Sequence, residues 1–341
     1  MSDQEKLLSK NALMIIGVVS VIVFIVGMIL LALGYNEAFY VEDPTVRAIF
    51  EIITFMGETE FFLILLITIY VVYDKKFAKN VVFSLLLSVY IYTLLKDLFQ
   101  DPRPITNISK EAEYGYIETD YGFPSGHAVT AVTVWGYIAN EFKNRTRSYI
   151  IPVILSVIIF LITISRVIIG VHDLEDIIGG FLIGIGFLIA FIYLEPIFSE
   201  KINSLNFSIK IIIAVSFSVL IFLIGTLLFP RSGLDLIENP PLYSDTGYYA
   251  VVSGAILGFS VAYLLENKYI NYQPSELNNK HKIINLILGI FFIFTLYFMF
   301  GLLIHGNVIL RFIRYTILAF TITFIMPLIF TKINRKQDLS T

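Results

Sequence analysis

Runs of about 20 apolar residues recur along the whole chain, which is the length of helix that crosses a bilayer core of ~30 Å. No soluble fold can hide so many. The composition agrees: of 341 residues, 57% are hydrophobic and 15% charged, with a mean hydropathy of +0.81, outside the range of soluble globular proteins. The chain therefore reads as an all-α multi-pass membrane protein. Ten spans are predicted, near residues 12–34, 55–73, 81–98, 127–142, 149–167, 177–194, 209–230, 247–265, 283–304 and 308–331.

The first apolar run, Ala12 to Gly34, is longer than a signal-peptide core of roughly 7–15 residues, and no small-x-small cleavage site follows. It is expected to remain as an anchor. Cysteine is absent, which excludes disulfides and thiolate metal sites. With the N-terminus inside, two thirds of the 24 Lys and Arg residues fall on one side of the bilayer. That bias marks cytoplasmic loops and places both termini inside.

Three polar stretches then share the outer side: "KDLFQDPRP" (96–104), "PSGH" (124–127) and "SRVIIGVHDLED" (165–176). Because loop charge alone set the orientation, their common side is an independent agreement. Together they offer three cations (Lys96, Arg103, Arg166), two of the four histidines and a carboxylate. Cations of this kind neutralise a phosphate, whose transfer spreads charge over the equatorial oxygens. Guanidinium groups add planar forks that fit those oxygens. Ser125 is placed to N-cap the fourth helix, and Gly126 lets an oxygen approach its backbone N–H.

His172 and Asp176 are four residues apart and share a face of a helix opening near residue 171. A carboxylate there holds one imidazole nitrogen as N–H and leaves the other as a lone pair. Glu175, three residues from His172, competes for that part on spacing alone. The chemistry implied is attack on phosphorus by His172, protonation of the leaving oxygen by His127, and hydrolysis of a phosphohistidine.

The set Lys96-x6-Arg103-Pro104, Pro124-Ser125-Gly126-His127 and Ser165-Arg166-x5-His172-x3-Asp176 resembles the three-part signature of the type 2 phosphatidic acid phosphatase superfamily, which includes lipid phosphate phosphatases and vanadium haloperoxidases. Three linked motifs are far more specific than one. The resemblance implies His172 as nucleophile, His127 as general acid, Asp176 as the partner of His172, and Lys96, Arg103, Ser125, Gly126 and Arg166 as the phosphate cradle. It implies a six-helix core with no metal or other cofactor, so residues 1–200 are expected to form a phosphatase core. Residues 201–341 are expected to be a four-span extension, similar to one found on some prokaryotic members. The substrate implied is a membrane lipid phosphate or diphosphate: polyprenyl diphosphate, phosphatidic acid, phosphatidylglycerol phosphate or a sphingoid phosphate. The bilayer itself is the other partner, nucleic acid is not one, and homo-oligomerisation stays open. The site is expected on the extracytoplasmic face of the cell membrane.

Competing readings are a divalent-metal hydrolase, a lipid transporter or flippase, and a phosphotransferase using the same anion pocket. Three clustered cations would repel a metal, and no inverted repeat links the two halves. The segment 107–123 carries Glu111, Glu113, Glu118 and Asp120 beside a site built for anions. It reads as a solvated outer loop, or more sharply as a lid that screens head groups. His281, in "NNKHK", is expected to be solvated, and His305 to mark a turn. Gly180-x3-Gly184 and Gly254-x3-Gly258 are expected where helices pack closely.

Overall fold

A computed structural model of the chain describes residues 40–104, 106–107, 118–229, 247–303 and 307–338, with Val18, Ile22, Ile25, Val26 and Ile29 of the first apolar stretch. The first expected span and the 305 position therefore lie outside the described residues, apart from those five helical positions. Among the described residues every regular element is a helix. Seven helices are long and apolar enough to cross a membrane, or eight if Pro44–Phe55 and Thr59–Tyr73 are taken as one broken span. The fourth expected span is not among the seven. Its helical rod, Gly126–Thr130, Ala131–Trp135 and Gly136–Thr146, ends in Glu141, Lys143 and Arg145.

The chain divides into two compact units. The first comprises Met1–Glu58 and Ile91–Glu200. It contains α1 (Pro44–Phe55), the end of α3 (Lys75–Phe99), α4 (Gly126–Thr130), α5 (Gly136–Thr146), α6 (Ile150–Ile168) and α7 (Leu174–Asn203). Local chemistry sets the start of α1: the Asp43 side chain accepts from the Thr45 and Val46 amides, and Pro44 opens the first turn. Helix α6 packs against α1, α4 and α5. Gly180 and Gly184 of α7 sit where a Cβ would lie 2.7 Å from the Ser125 carbonyl oxygen and 2.8 Å from Val132 Cβ, so both are close helix contacts, as expected. A buried cluster of Val167, Leu174 and Ile177 underlies the turn between α6 and α7.

The second unit comprises Thr59–Tyr90 and Lys201–Thr341. It holds α2 (Thr59–Thr68, continued by the π-helical turn Ile69–Tyr73), the start of α3, α8 (Phe207–Leu228) and α9 (Tyr248–Tyr269). It ends in α10 (Asn279–Leu303), α11 (Val308–Phe320) and α12 (Met326–Asp338). Asn206 and Asn307 cap α8 and α11 through their side chains. Helix α9 packs between α8 and α11, and its face carries Ile256 and Val252 against Ile221 of α8. Outward positions are apolar: Leu227 and Leu302 are 71% and 77% exposed, as lipid-facing residues should be. His281 departs from expectation. It is buried, 4% exposed, in the first turn of α10, where its amide bonds the Asn278 side chain.

Candidate active site

The turn between α6 and α7 brings Arg166 and His172 together. Gly170 has φ 81°, a left-handed conformation open to glycine. The chain can then fold back so that the amides of Val171 and His172 both donate to the Arg166 carbonyl, at 3.1 and 3.2 Å. This turn delays α7 until Leu174, so His172 precedes the helix rather than lying on it. The expected shared helical face is replaced by a loop imidazole reaching a first-turn carboxylate. Its Nδ1 lies 2.7 Å from Asp176 Oδ2. Glu175, the competitor on spacing, makes no such contact; it hydrogen-bonds Asp173 instead.

On the other side of the ring, Arg103 Nη1 is 3.1 Å from His172 Nε2. Arginine has only donors, so Nε2 must be the accepting nitrogen and the proton sits on Nδ1, donated to Asp176. The lone pair thus faces the cations. Burial, followed by the charges of Arg103, Lys96 and Arg166, holds the His172 imidazole well below its usual pKa and keeps it neutral. Behind Asp176 lies Asp101, which hydrogen-bonds it. Burial raises the Asp101 carboxyl above its usual range. Asp173 is pushed up to about 9 by burial and by the carboxylates of Asp176 and Glu175, and is protonated at neutral pH.

Helix α3 supplies Lys96 in its last turn and the segment after it supplies Arg103. Both are buried, with side chains 5% and 2% exposed, and Arg166 is 2% exposed. Cations this deep cost several kcal/mol unless paired. They are paired by the end of the acidic segment. Asp120 binds Arg103 and lies 3.1 Å from Lys96, while Glu118 binds Arg166 and lies 3.9 Å from Arg103. Burial alone would raise the Asp120 carboxyl, but Lys96 and Arg103 outweigh it and hold it below the ordinary range. The solvated-loop expectation fails for these two residues. Glu111 and Glu113 lie outside the described residues.

The "PSGH" turn joins this cluster through the Ser125 amide, which donates to the Asp176 carbonyl at 3.0 Å. Ser125 stands at the N-cap position of α4 but makes no capping bond with its side chain. Its hydroxyl is buried with no partner, as is Arg166 Nε. A buried polar group left so is costly. Gly126 has a steric reason: a Cβ would stand 2.9 Å from the Tyr92 ring. His127 Nε2 lies 3.0 Å from Glu58 Oε1, and Glu58 stands 3.9 Å from Arg166. Arg166 Nη1 also donates to Thr54 at 3.0 Å.

All eight residues singled out in the sequence thus lie in the first unit; seven are linked by the contacts above, and Gly126 follows Ser125 in the chain. Glu58, Thr54, Tyr92 and Asp101 join them without having been expected. Of these only Asp101 carried a signal, its place inside "KDLFQDPRP". The others sit on α1, its following turn and α3, with no motif spacing to the signature.

Residues 77–200 match the PAP2 superfamily, and residues 250–338 match the PAP2 superfamily phosphatase transmembrane extension. Phosphatidylglycerophosphatase B of Bacillus subtilis (strain 168) is 37% identical over 94 residues, covering 25% of this chain and 43% of that protein. Sphingosine-1-phosphate phosphatase 2 of Mus musculus is 25% identical over 199 residues, 57% of this chain and 52% of the relative. Lipid A 4'-phosphatase of Porphyromonas gingivalis is 30% identical over 129 residues, 34% and 53%. The chain thus spans about half the length of these relatives. A crystal structure of the first transmembrane PAP2 type phosphatidylglycerolphosphate phosphatase from Bacillus subtilis aligns at a TM-score of 0.40 and 23% identity, covering 55% of this chain and 98% of that one. With both of its parts matched in order along one membrane-embedded helical chain, the protein belongs to the PAP2 superfamily and carries that superfamily's transmembrane extension.

Proposed function

We propose that the chain is an integral-membrane, metal-independent phosphatase that hydrolyses a lipid phosphate or diphosphate through a phosphohistidine. The observation that carries this reading is the ring of His172, held at Nδ1 by Asp176 with its Nε2 lone pair facing Arg103. In the first step Nε2 attacks phosphorus and the bond to the lipid oxygen breaks. His127 gives that oxygen its proton. Lys96, Arg103 and Arg166, with the Ser125 hydroxyl and the Gly126 amide, hold the equatorial oxygens where negative charge gathers. In the second step His127 takes a proton from water, water attacks phosphorus, the N–P bond breaks, and phosphate leaves with His172 restored. Asp176 steadies the imidazolium character that His172 acquires between the steps.

The names of the relatives support lipid-borne phosphates as the substrate class. Loop charge supports an extracytoplasmic site with both termini inside the cell. On this reading residues 1–200 carry all the chemistry and residues 201–341 form an accessory membrane region. The test is a panel of phosphatidylglycerol phosphate, phosphatidic acid, sphingoid phosphate and polyprenyl diphosphate in detergent, with and without chelator. His172→Ala should lose all but trace turnover while keeping its thermal melt, and orthovanadate should inhibit the native protein. Full activity of His172→Ala, or activity abolished by chelator, would refute the mechanism.

A further inference from the structure

The three cations assigned to phosphate already hold carboxylates, and those carboxylates belong to the chain itself. Asp120 bridges Lys96 and Arg103, and Glu118 bridges Arg166 and Arg103. Each anion spans two cations, the arrangement a phosphate oxygen pair would adopt. Their depth is telling. The Glu118 and Asp120 side chains are each 20% exposed, against 2% for Arg103 and Arg166 and 5% for Lys96. The carboxylates therefore form the outer layer, and an anion arriving from solvent meets them before it meets the cations.

The backbone behind them is fastened separately. The Glu118 amide donates to the Asn107 side chain at 3.2 Å, and Asn107 Nδ2 returns a bond to the Glu118 carbonyl at 3.0 Å. Arg103 Nε donates to the Asp120 carbonyl at 2.8 Å, and Lys96 donates to the Tyr121 carbonyl. Rotation of the two side chains can thus uncover the cations while the main chain stays in place.

We propose that Glu118 and Asp120 are specificity-determining residues: they compete with phosphate for the cations, so that the site excludes free phosphate and water-soluble esters and admits phosphates anchored in the bilayer. The proposal rests on the phosphatase reading. Tethered carboxylates act at an effective concentration of about millimolar or above, so an anion from solution must exceed that to displace them. A lipid phosphate is anchored by its chains and so meets the site at a high local concentration in the membrane. The same competition expels the phosphate product.

The test uses the full-length protein in detergent, with Glu118→Gln, Asp120→Asn, the double variant, and Glu118→Asp, which keeps the charge but draws it back. Inorganic phosphate is measured both as an inhibitor of lipid phosphate hydrolysis and, independently of turnover, by its stabilisation of the thermal melt. p-Nitrophenyl phosphate serves as the soluble ester. The double variant should bind inorganic phosphate about tenfold or more tightly, and its kcat/KM for the soluble ester should rise relative to the lipid. Each single variant should move part of the way, which keeps the test open if the double variant does not fold. Phosphate binding that is unchanged or weaker in the singles would overturn the proposal. If the native protein hydrolyses no phosphate at all while the variants still bind phosphate more tightly, the phosphatase reading fails and the carboxylate competition stands.

Discussion

The nucleophile proposed here is a neutral imidazole kept neutral by its surroundings, and that has a consequence for pH. His172 is buried beside three cations, which hold its pKa well below the ordinary 6.5. Protonation would remove the Nε2 lone pair, so turnover should persist as pH falls through 6.5 and fail only below it. Stability moves the same way. Between the lowered folded value and the unfolded one the unfolded chain takes up a proton that the folded chain refuses. The folded state is therefore favoured above about 6.5 and loses that advantage as pH falls beneath it. A pH–rate profile on a diphosphate substrate, beside thermal melts at each pH, checks both; an acid limb centred at or above 6.5 would contradict the account. The residues of this arrangement were legible in sequence because phosphate chemistry needs these side chains at set spacings. Glu58 was not. It meets His127 across 69 positions of chain, from the turn after α1, and no local pattern announces such a pairing.

Helix ends show the same boundary between local and tertiary information. The starts of α1, α8 and α11 follow from Asp43, Asn206 and Asn307, which cap through their own side chains. The start of α7 does not follow from residues 171–176 alone. The double bond to the Arg166 carbonyl, made possible by Gly170, holds 171–173 as a turn and moves the helix start to Leu174. Glycine spacing was legible too, and for a steric reason. On α9 a Cβ at Gly254 would lie 2.4 Å from the Phe312 carbonyl oxygen, and one at Gly258 would lie 2.1 Å from that of Thr316. Backbone cannot step aside as a side-chain tip can. Gly258→Leu should therefore lower the melt of the purified protein, at a cost of about 1–3 kcal/mol or more. Gly186→Ala is the contrasting case: nothing lies within 4 Å of the added carbon, and helix propensity favours alanine by up to about 1 kcal/mol. Equal melts for the two variants would show that α9 and α11 do not depend on this close approach.

At the scale of the molecule, chain order and packing order part company. Membrane class and helical content are written in composition and in the length of the apolar runs. The grouping of Thr59–Tyr90 with Lys201–Thr341 is not, because it is decided by contacts distant in sequence. Within that unit Lys75 pairs with Glu266 at 3.0 Å, both buried, and the Tyr272 amide donates to the same carboxylate at 2.6 Å. The Tyr70 hydroxyl donates to the Thr323 carbonyl, and Phe83, Leu86 and Leu87 pack on Ile221, Val252 and Ile256. All the proposed catalytic residues precede position 200, yet a chain cut there would strip these partners from α2 and from the first half of α3. Breaking one buried ion pair alone costs about 3–5 kcal/mol, a large part of the stability of an ordinary domain. Residues 1–200 expressed alone should therefore fail to give a monodisperse species in detergent, whereas co-expression with residues 201–341 as a second chain should recover it. Size-exclusion profiles of the fragment, the pair and the full chain decide the matter. A fragment as well behaved as the full protein would mean that the early helices hold their shape without the extension, and that its match to a separate transmembrane part reflects an appendage rather than half of a folding unit.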